Sequence, residues 1–393
     1  MMTIRPLYSK WLPFCISGII VARTCITFTV FTFLQPISYL VLALCILSFV
    51  GLVYLWNKGM TYFGASVALF FSLLLIISVL NNADYKTVCY YCIEIGTLLL
   101  LFAYYKTRLG VVLKSLAFLF SVMIYANLAF MIIFPNWMFL AKDTFDSFLL
   151  GGNYNQIGCR LLCGIITNVL CCNYSRKWLV NTIGLCIISV ATLALVGSMT
   201  SLTCVIAFIA ISILPGRTLK KIAIVSFFSF YVLFQVFVCF SGEGLHNNEL
   251  AVYIIRDVLN KDLTFTYRTS LWEISSNLFW KSPLWGYGQM DVDWMKSHMT
   301  SHAIGPHNLI YYILLEGGII LFLSFLTIFL FPLKRIANLI DRNVLALLAG
   351  LTTLLFMQTM EVYHFFFILY PLTLIYYYPE LKRTWLRPKV ENS

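Results

Sequence analysis

Apolar runs alternate with polar connections along the whole chain, near 11–33, 37–56, 62–80, 88–105, 109–134, 156–172, 178–196, 199–214, 221–240, 307–331, 344–360 and 362–378. Most approach the roughly 20 residues a helix needs to cross a hydrocarbon core of about 30 Å. They predict an all-α, polytopic membrane protein of about twelve transmembrane helices. The turns around Gly197 and Glu361 are so short that neighbouring runs there could fuse and lower the count. The first run exceeds a signal-peptide core and no convincing small-residue cleavage site follows it, so it reads as a retained span.

Two polar segments are too long to be turns: Pro135 to about Asn155, and Ser241 to Pro306. Loops of that length in a compact protein are usually functional. The chain thus divides into residues 1–240 with helices one to nine, a large helical loop at 241–306 between helices nine and ten, 307–378 with the last three spans, and a tail at 379–393. Inside the loop, Leu250, Ile254 and Val258 recur at helical spacing opposite Arg256 and Asp257, which predicts an amphipathic helix on the membrane surface. Ser270 and Glu273 have the spacing of a capping box ahead of an apolar run, placing Arg268 just before a helix N-terminus, where free N–H groups and the helix dipole favour anions.

Composition narrows the class. With 61% apolar and 11% charged residues and a mean hydropathy of +0.87, polar side chains could not cover a soluble surface. A net charge of +11 could suggest nucleic acid, but its distribution does not. With the N-terminus cytoplasmic, seventeen Lys and Arg fall in inside segments against seven outside, five of those in the loop 241–306. That asymmetry is the positive-inside pattern, so both termini are expected in the cytoplasm and no nucleic-acid partner is expected. The 12 cysteines lie mostly within apolar runs and form no paired CxxC or Cys/His metal pattern, so they read as small hydrophobes. All five histidines, by contrast, sit in the long loop or at outer membrane edges.

Chemistry concentrates between Tyr267 and Gly318. Arg268 suits bidentate phosphate binding, or else it is a solvated or ion-paired loop residue. His307, behind Pro306 at the opening of the tenth span, could move a proton near neutral pH or simply sit at the interface. His298 and His302 have a spacing that could bind metal on a helix, but no third ligand is evident. Glu316 lies nine residues beyond His307, on a straight helix about 13 Å deeper and half a turn round. A buried carboxylate there needs a partner, for which Arg23 and Arg160 are candidates, and Gly317 and Gly318 beside it would permit close helix packing. Gly286-Tyr287-Gly288 precedes no βαβ pattern and reads as part of a turn from Pro283. Asn153, Asn155 and Gln156 open the sixth span, with Arg160 a turn in; the amides could cap that helix or bind sugar hydroxyls.

In order, Asn153-x-Asn155-x-x-Gly158, Arg268, Trp272, Pro283-Leu284-x-Gly286-x-Gly288, His307-Asn308-Leu309 and Glu316-Gly317 resemble the pattern of the bacterial O-antigen polymerase and O-antigen ligase family, and the topology matches it across nearly the whole chain. The resemblance implies an inverting, metal-independent glycosyltransferase without cofactors, moving glycan from undecaprenyl diphosphate to an acceptor sugar hydroxyl outside the membrane. Arg268 would hold the diphosphate and His307 would orient or activate the acceptor. Arg160, Arg256, Asn155, Asn308 and Tyr267 are the expected substrate-binding residues, supported by Glu316, Gly317, Gly286 and Gly288. Relatives often carry a Ser-Arg pair near the outer end of span eight, where this chain reads Gly197-Ser198-Met199-Thr200-Ser201; Arg160 or Arg256 would have to replace that arginine. The implied partners are an undecaprenyl-diphosphate-linked oligosaccharide, membrane lipid and, as an open question, a chain-length regulator protein. The implied location is the bacterial inner membrane, with the active site in the loop-bearing face, towards periplasm or exterior. Extension of an O-antigen or capsular chain is favoured over ligation to lipid A core. From another class, an anionic-solute transporter could use Arg23, Glu94, Arg160 and Glu316 as pathway charges, though no inverted repeat is evident.

Overall fold

The computed structural model describes residues 11–26, 28, 35–56, 59–133, 150, 156–241, 253, 268–301, 305–360 and 364–386. The apolar runs become α1 (Trp11–Cys25), α2 (Gln35–Leu55), α3 (Tyr62–Leu80), α4 (Tyr85–Tyr104), α5 (Leu109–Ile133), α6 (Ile157–Tyr174), α7 (Leu179–Leu195), α8 (Met199–Ile213) and α9 (Arg217–Phe234), which runs into a π-helical turn, Gln235–Cys239. Two helices of the long loop follow, α10 (Arg268–Lys281) and α11 (Val292–His298). The chain then re-enters the bundle as α12 (Leu309–Ile336), α13 (Arg342–Met357), α14 (Phe366–Tyr376) and α15 (Tyr378–Leu386). Among the described residues, eight helices are long and apolar enough to cross a membrane, and four apolar helices are shorter: α1, α8, α13 and α14. The protein is an all-α, multi-pass membrane protein.

Helix starts follow from side chains that satisfy orphan backbone donors. Thr61 accepts from Gly64 N–H at 3.0 Å, Asp84 from Thr87 at 3.2 Å, and Asp341 from Asn343 and Val344 at 3.1 Å each. Burial sorts the helices. Every residue of α14 is buried and most of α6 and α13 is, so these three form the centre. In α2 only Cys45 and Leu52 are buried, and its other apolar side chains face outward, as a lipid solvent permits.

α12 packs chiefly on α3 and on α14, and it is not straight. Gly317 (φ −149°, ψ 15°) and Gly318 (φ 62°, ψ −159°) break it. Two hydrogen bonds of a regular helix, Leu315 to Ile319 and Glu316 to Ile320, are thereby lost. The segment Pro283–Gly288 replaces them with four. Tyr287 N–H donates to Leu315 O at 2.7 Å and Gly288 N–H to Glu316 O at 2.9 Å. Ile319 N–H donates to Pro283 O at 2.8 Å and Ile320 N–H to Leu284 O at 3.4 Å. Irregular backbone at membrane depth survives only where protein satisfies it, and here the loop does so. Gly317 and Gly318 therefore serve close approach of a loop, where the sequence suggested helix packing.

The loop is also seated on α3. Gln289 N–H donates to Ser78 Oγ at 2.8 Å, and Asp84 N–H donates to Gln289 O at 3.1 Å. At the other end of the bundle, α15 forms part of the expected tail but docks back. Its Glu380 pairs with Arg335 and, at 3.2 Å, with Lys106; Lys382 and the Tyr378 hydroxyl reach Asp341 at 2.7 and 2.6 Å.

Candidate functional site at the loop-bearing end

The described part of α10 already includes Arg268, so Ser270, which the capping box predicts as N-cap, lies inside the helix. One turn on, fully buried Trp272 packs with Cys239, Tyr311 and Met360. This anchor joins α10 to the π-helical end of α9 and the start of α12. Tyr311 adds polar ties, donating to Cys239 O at 3.4 Å and meeting the Ser276 hydroxyl. A second apolar cluster, with Leu278, Met290, Met295, Tyr312 and Leu315, fills the space beneath α10 and α11.

His307 lies opposite, in the turn before α12. Its backbone has φ +48°, a left-handed conformation sparsely used by residues other than glycine. Such conformations persist where the surroundings over-determine them, and here both flanks are fixed. Gly305, with φ +151°, lies so close to the Tyr312 hydroxyl that a Cβ would fall 1.6 Å from it. Asn308 caps α12, its Oδ1 accepting from Ile310 N–H at 2.9 Å and Tyr311 N–H at 3.2 Å. The same buried amide pairs with Gln235, Nδ2 donating to Oε1 at 3.0 Å. Leu309 N–H then donates to Gln358 O at 2.9 Å, tying the turn to the end of α13.

The structure thus brings Arg268 and His307 together. Burial, and then the nearby Arg268 guanidinium, lower the His307 pKa from its ordinary 6.5 to about 4. The imidazole is therefore neutral at physiological pH, with a lone pair available. Its Nδ1 is buried and has no hydrogen-bond partner among the described residues. A neutral proton acceptor beside a permanent cation can deprotonate a hydroxyl while an anion is held next to it.

The other predicted residues are placed as follows. Asn155, Arg256, Tyr267 and His302 lie outside the described residues, as does the expected amphipathic helix around Leu250–Val258 apart from Tyr253. Arg160 is committed to structure, Nε donating to Cys25 O at 3.1 Å and Nη1 to Gln156 O at 2.6 Å, with its guanidinium 5.1 Å from the Phe367 ring. Asn308 spends its amide on the cap and on Gln235. Gly286 and Gly288, with φ +63° and +83°, are the backbone of the docked loop. Glu316 is fully buried. Arg23 pairs with Glu94 at 2.7 Å, and Glu316 lies within electrostatic reach of Tyr91 and Tyr312. His298 stacks on Trp294 at 4.3 Å. Gln235 was missed by sequence reasoning; a lone amide in an apolar span was the available signal.

Arg268, Trp272, the docked loop, His307 and the broken helix fall within one continuous stretch of chain. Residues 184–326 match the O-antigen ligase family. That region runs from α7 into α12 and contains every residue just assembled from the loop, whereas Arg160 lies before it. No curated protein matches the chain. The match over 184–326 agrees with the resemblance drawn from the motifs and supports a ligase- or polymerase-type function for this membrane protein.

Proposed function

We propose that the protein is a polysaccharide polymerase that transfers glycan from undecaprenyl diphosphate to an acceptor sugar hydroxyl, with inversion and without a metal ion, at the loop-bearing face. The observation that carries this reading is the Arg268 charge acting on a buried, neutral His307. Arg268 holds the diphosphate. His307 accepts the proton of the acceptor hydroxyl as its oxygen forms the new bond to the anomeric carbon. The bond from that carbon to the phosphate oxygen breaks, and the electron pair leaves on the diphosphate, where the guanidinium balances it. Attack opposite the leaving group inverts the anomeric centre. Arg268 supplies the cationic stabilisation for which other transferases use a metal, which is why the reaction is read as metal-independent.

Ligation to lipid A core or another surface acceptor is the second reading, favoured by the description of the matched family. Solute transport has less support, since Arg23 and Glu94 pair with each other and Arg160 is bound to backbone carbonyls. The distinguishing experiment supplies purified protein in lipid with undecaprenyl-diphosphate repeat units and, separately, with lipid A core, each with and without chelator. A ladder of lengthening diphosphate-linked glycans supports polymerisation. Transfer to lipid A core without a ladder replaces it with ligation, and loss of the ladder on chelation contradicts the metal-free mechanism.

A further inference from the structure

The end of the bundle opposite Arg268 and His307 holds a cavity of about 460 Å³ where the α8–α9 connection meets the start of α13. Ser212, Pro215, Gly216, Arg217, Lys220 and Arg342 line it, together with two aliphatic residues, and among the described residues no carboxylate does. Lys220 is buried, with 7% exposure, and its ammonium donates to Ser212 O. The Ser212 hydroxyl is itself buried without a partner among the described residues. Arg342, from a different helix, is near enough for its charge to act on Lys220. The adjacent carboxylate, Asp341, is occupied elsewhere: it caps α13 and binds Lys382 and Tyr378. Like charges around one void repel, so the arrangement favours an anion from outside the chain.

Position and surroundings specify the anion. Arg217 opens α9 and Arg342 opens α13, so the cavity lies where membrane helices end, at headgroup level. Ile213, which lines it, and Leu219 and Ile222 beside it are exposed. A polar, cationic cavity rimmed by outward-facing aliphatic side chains matches a molecule with a phosphate at one end and hydrocarbon at the other. Guanidinium forks bind phosphate oxygens bidentately, and basic pockets between transmembrane helices take up anionic lipid headgroups. We propose that this cavity binds the phosphate of an anionic phospholipid from the adjoining leaflet. The site is independent of the chemistry at Arg268 and His307.

The test is native mass spectrometry of delipidated full-length protein titrated with phosphatidylglycerol, phosphatidylcholine or inorganic phosphate. Phosphatidylglycerol should bind with clear preference over phosphatidylcholine. Arg217→Gln, at an exposed position, should weaken phosphatidylglycerol about 5-fold, and Arg217→Gln with Arg342→Gln about 30-fold, leaving phosphatidylcholine unchanged. Equal binding of the two lipids, or wild-type phosphatidylglycerol affinity in folded Arg217→Gln and the double variant, overturns the proposal. Displacement of phosphatidylglycerol by inorganic phosphate at equal concentration overturns the lipid as occupant.

Discussion

His307 joins three features that rarely coincide: a left-handed backbone, a buried ring nitrogen without a described partner, and a neighbouring guanidinium. Its folded-state pKa of about 4 lies below the unfolded 6.5, so protons bind the unfolded chain preferentially between these values. The His307 contribution to stability is accordingly present above pH 6.5 and lost as pH falls through about 4. For activity, kcat/KM reports the free enzyme. Its acid limb should lie near pH 4 and not near 6.5. Arg268→Gln removes one of the two causes and should move the limb upward, towards but not to 6.5, because burial remains. A limb near 6.5 in the wild type, or one unmoved by Arg268→Gln, contradicts the pairing. Both residues were legible as types, since few side chains bind diphosphate or exchange protons near neutral pH. Their juxtaposition was not, because it depends on Trp272 seating α10 against Tyr311 and Met360, contacts that no local spacing encodes.

At the scale of elements, the decisive feature is the loop segment Pro283–Gly288 standing in for a missing turn of α12. Gly286 carries φ +63°, and a Cβ there would lie 2.4 Å from Leu315 O; a Cβ on Gly318 would lie 2.3 Å from the Leu284 carbonyl carbon. In both cases the obstacle is backbone, which has little room to move. Gly197 has a similar φ of +71° but open space around it. Gly286→Ala and Gly318→Ala should therefore undock the loop and abolish transfer, with loss of folded protein or a marked fall in melting temperature. Gly197→Ala should cost only about 1–2 kcal/mol of backbone strain. Equal tolerance at all three positions, measured by thermal unfolding in detergent, would refute the docking. The turn at Pro283–Gly288 and the glycines after Glu316 are each legible in the sequence, but their contact is not. Hydrogen bonds between two backbones leave no side-chain signature, and a straight helix was the natural reading of an unbroken apolar run. Ser270 lies inside α10 and not at its N-cap for a related reason: the box is a local pattern, and the helix is seated by the packing of Trp272.

At the scale of the molecule, each of the twelve apolar runs contains a helix, eight of which among the described residues are long and apolar enough to cross a membrane, because a hydrocarbon solvent leaves backbone groups few other ways to be satisfied. What periodicity could not convey is that the two ends of the bundle are built differently. At one end, α10 and the π-helical end of α9 meet the start of α12 at Trp272 and Tyr311, and the loop Pro283–Gly288 docks on the break in α12. At the other, α15 is clamped by ion pairs and a cationic cavity lies between the α8–α9 connection and the start of α13. The central claim, that Arg268 and His307 together carry glycan transfer, is tested most directly by turnover of labelled undecaprenyl-diphosphate repeat units in proteoliposomes of wild type, Arg268→Ala and His307→Ala, with melting temperatures measured on the same preparations. The expected result is a rate loss of about 100-fold or more in each variant, the scale of removing one transition-state charge donor, with melting temperatures near wild type. Turnover within a few-fold of wild type in either stably folded variant would contradict it.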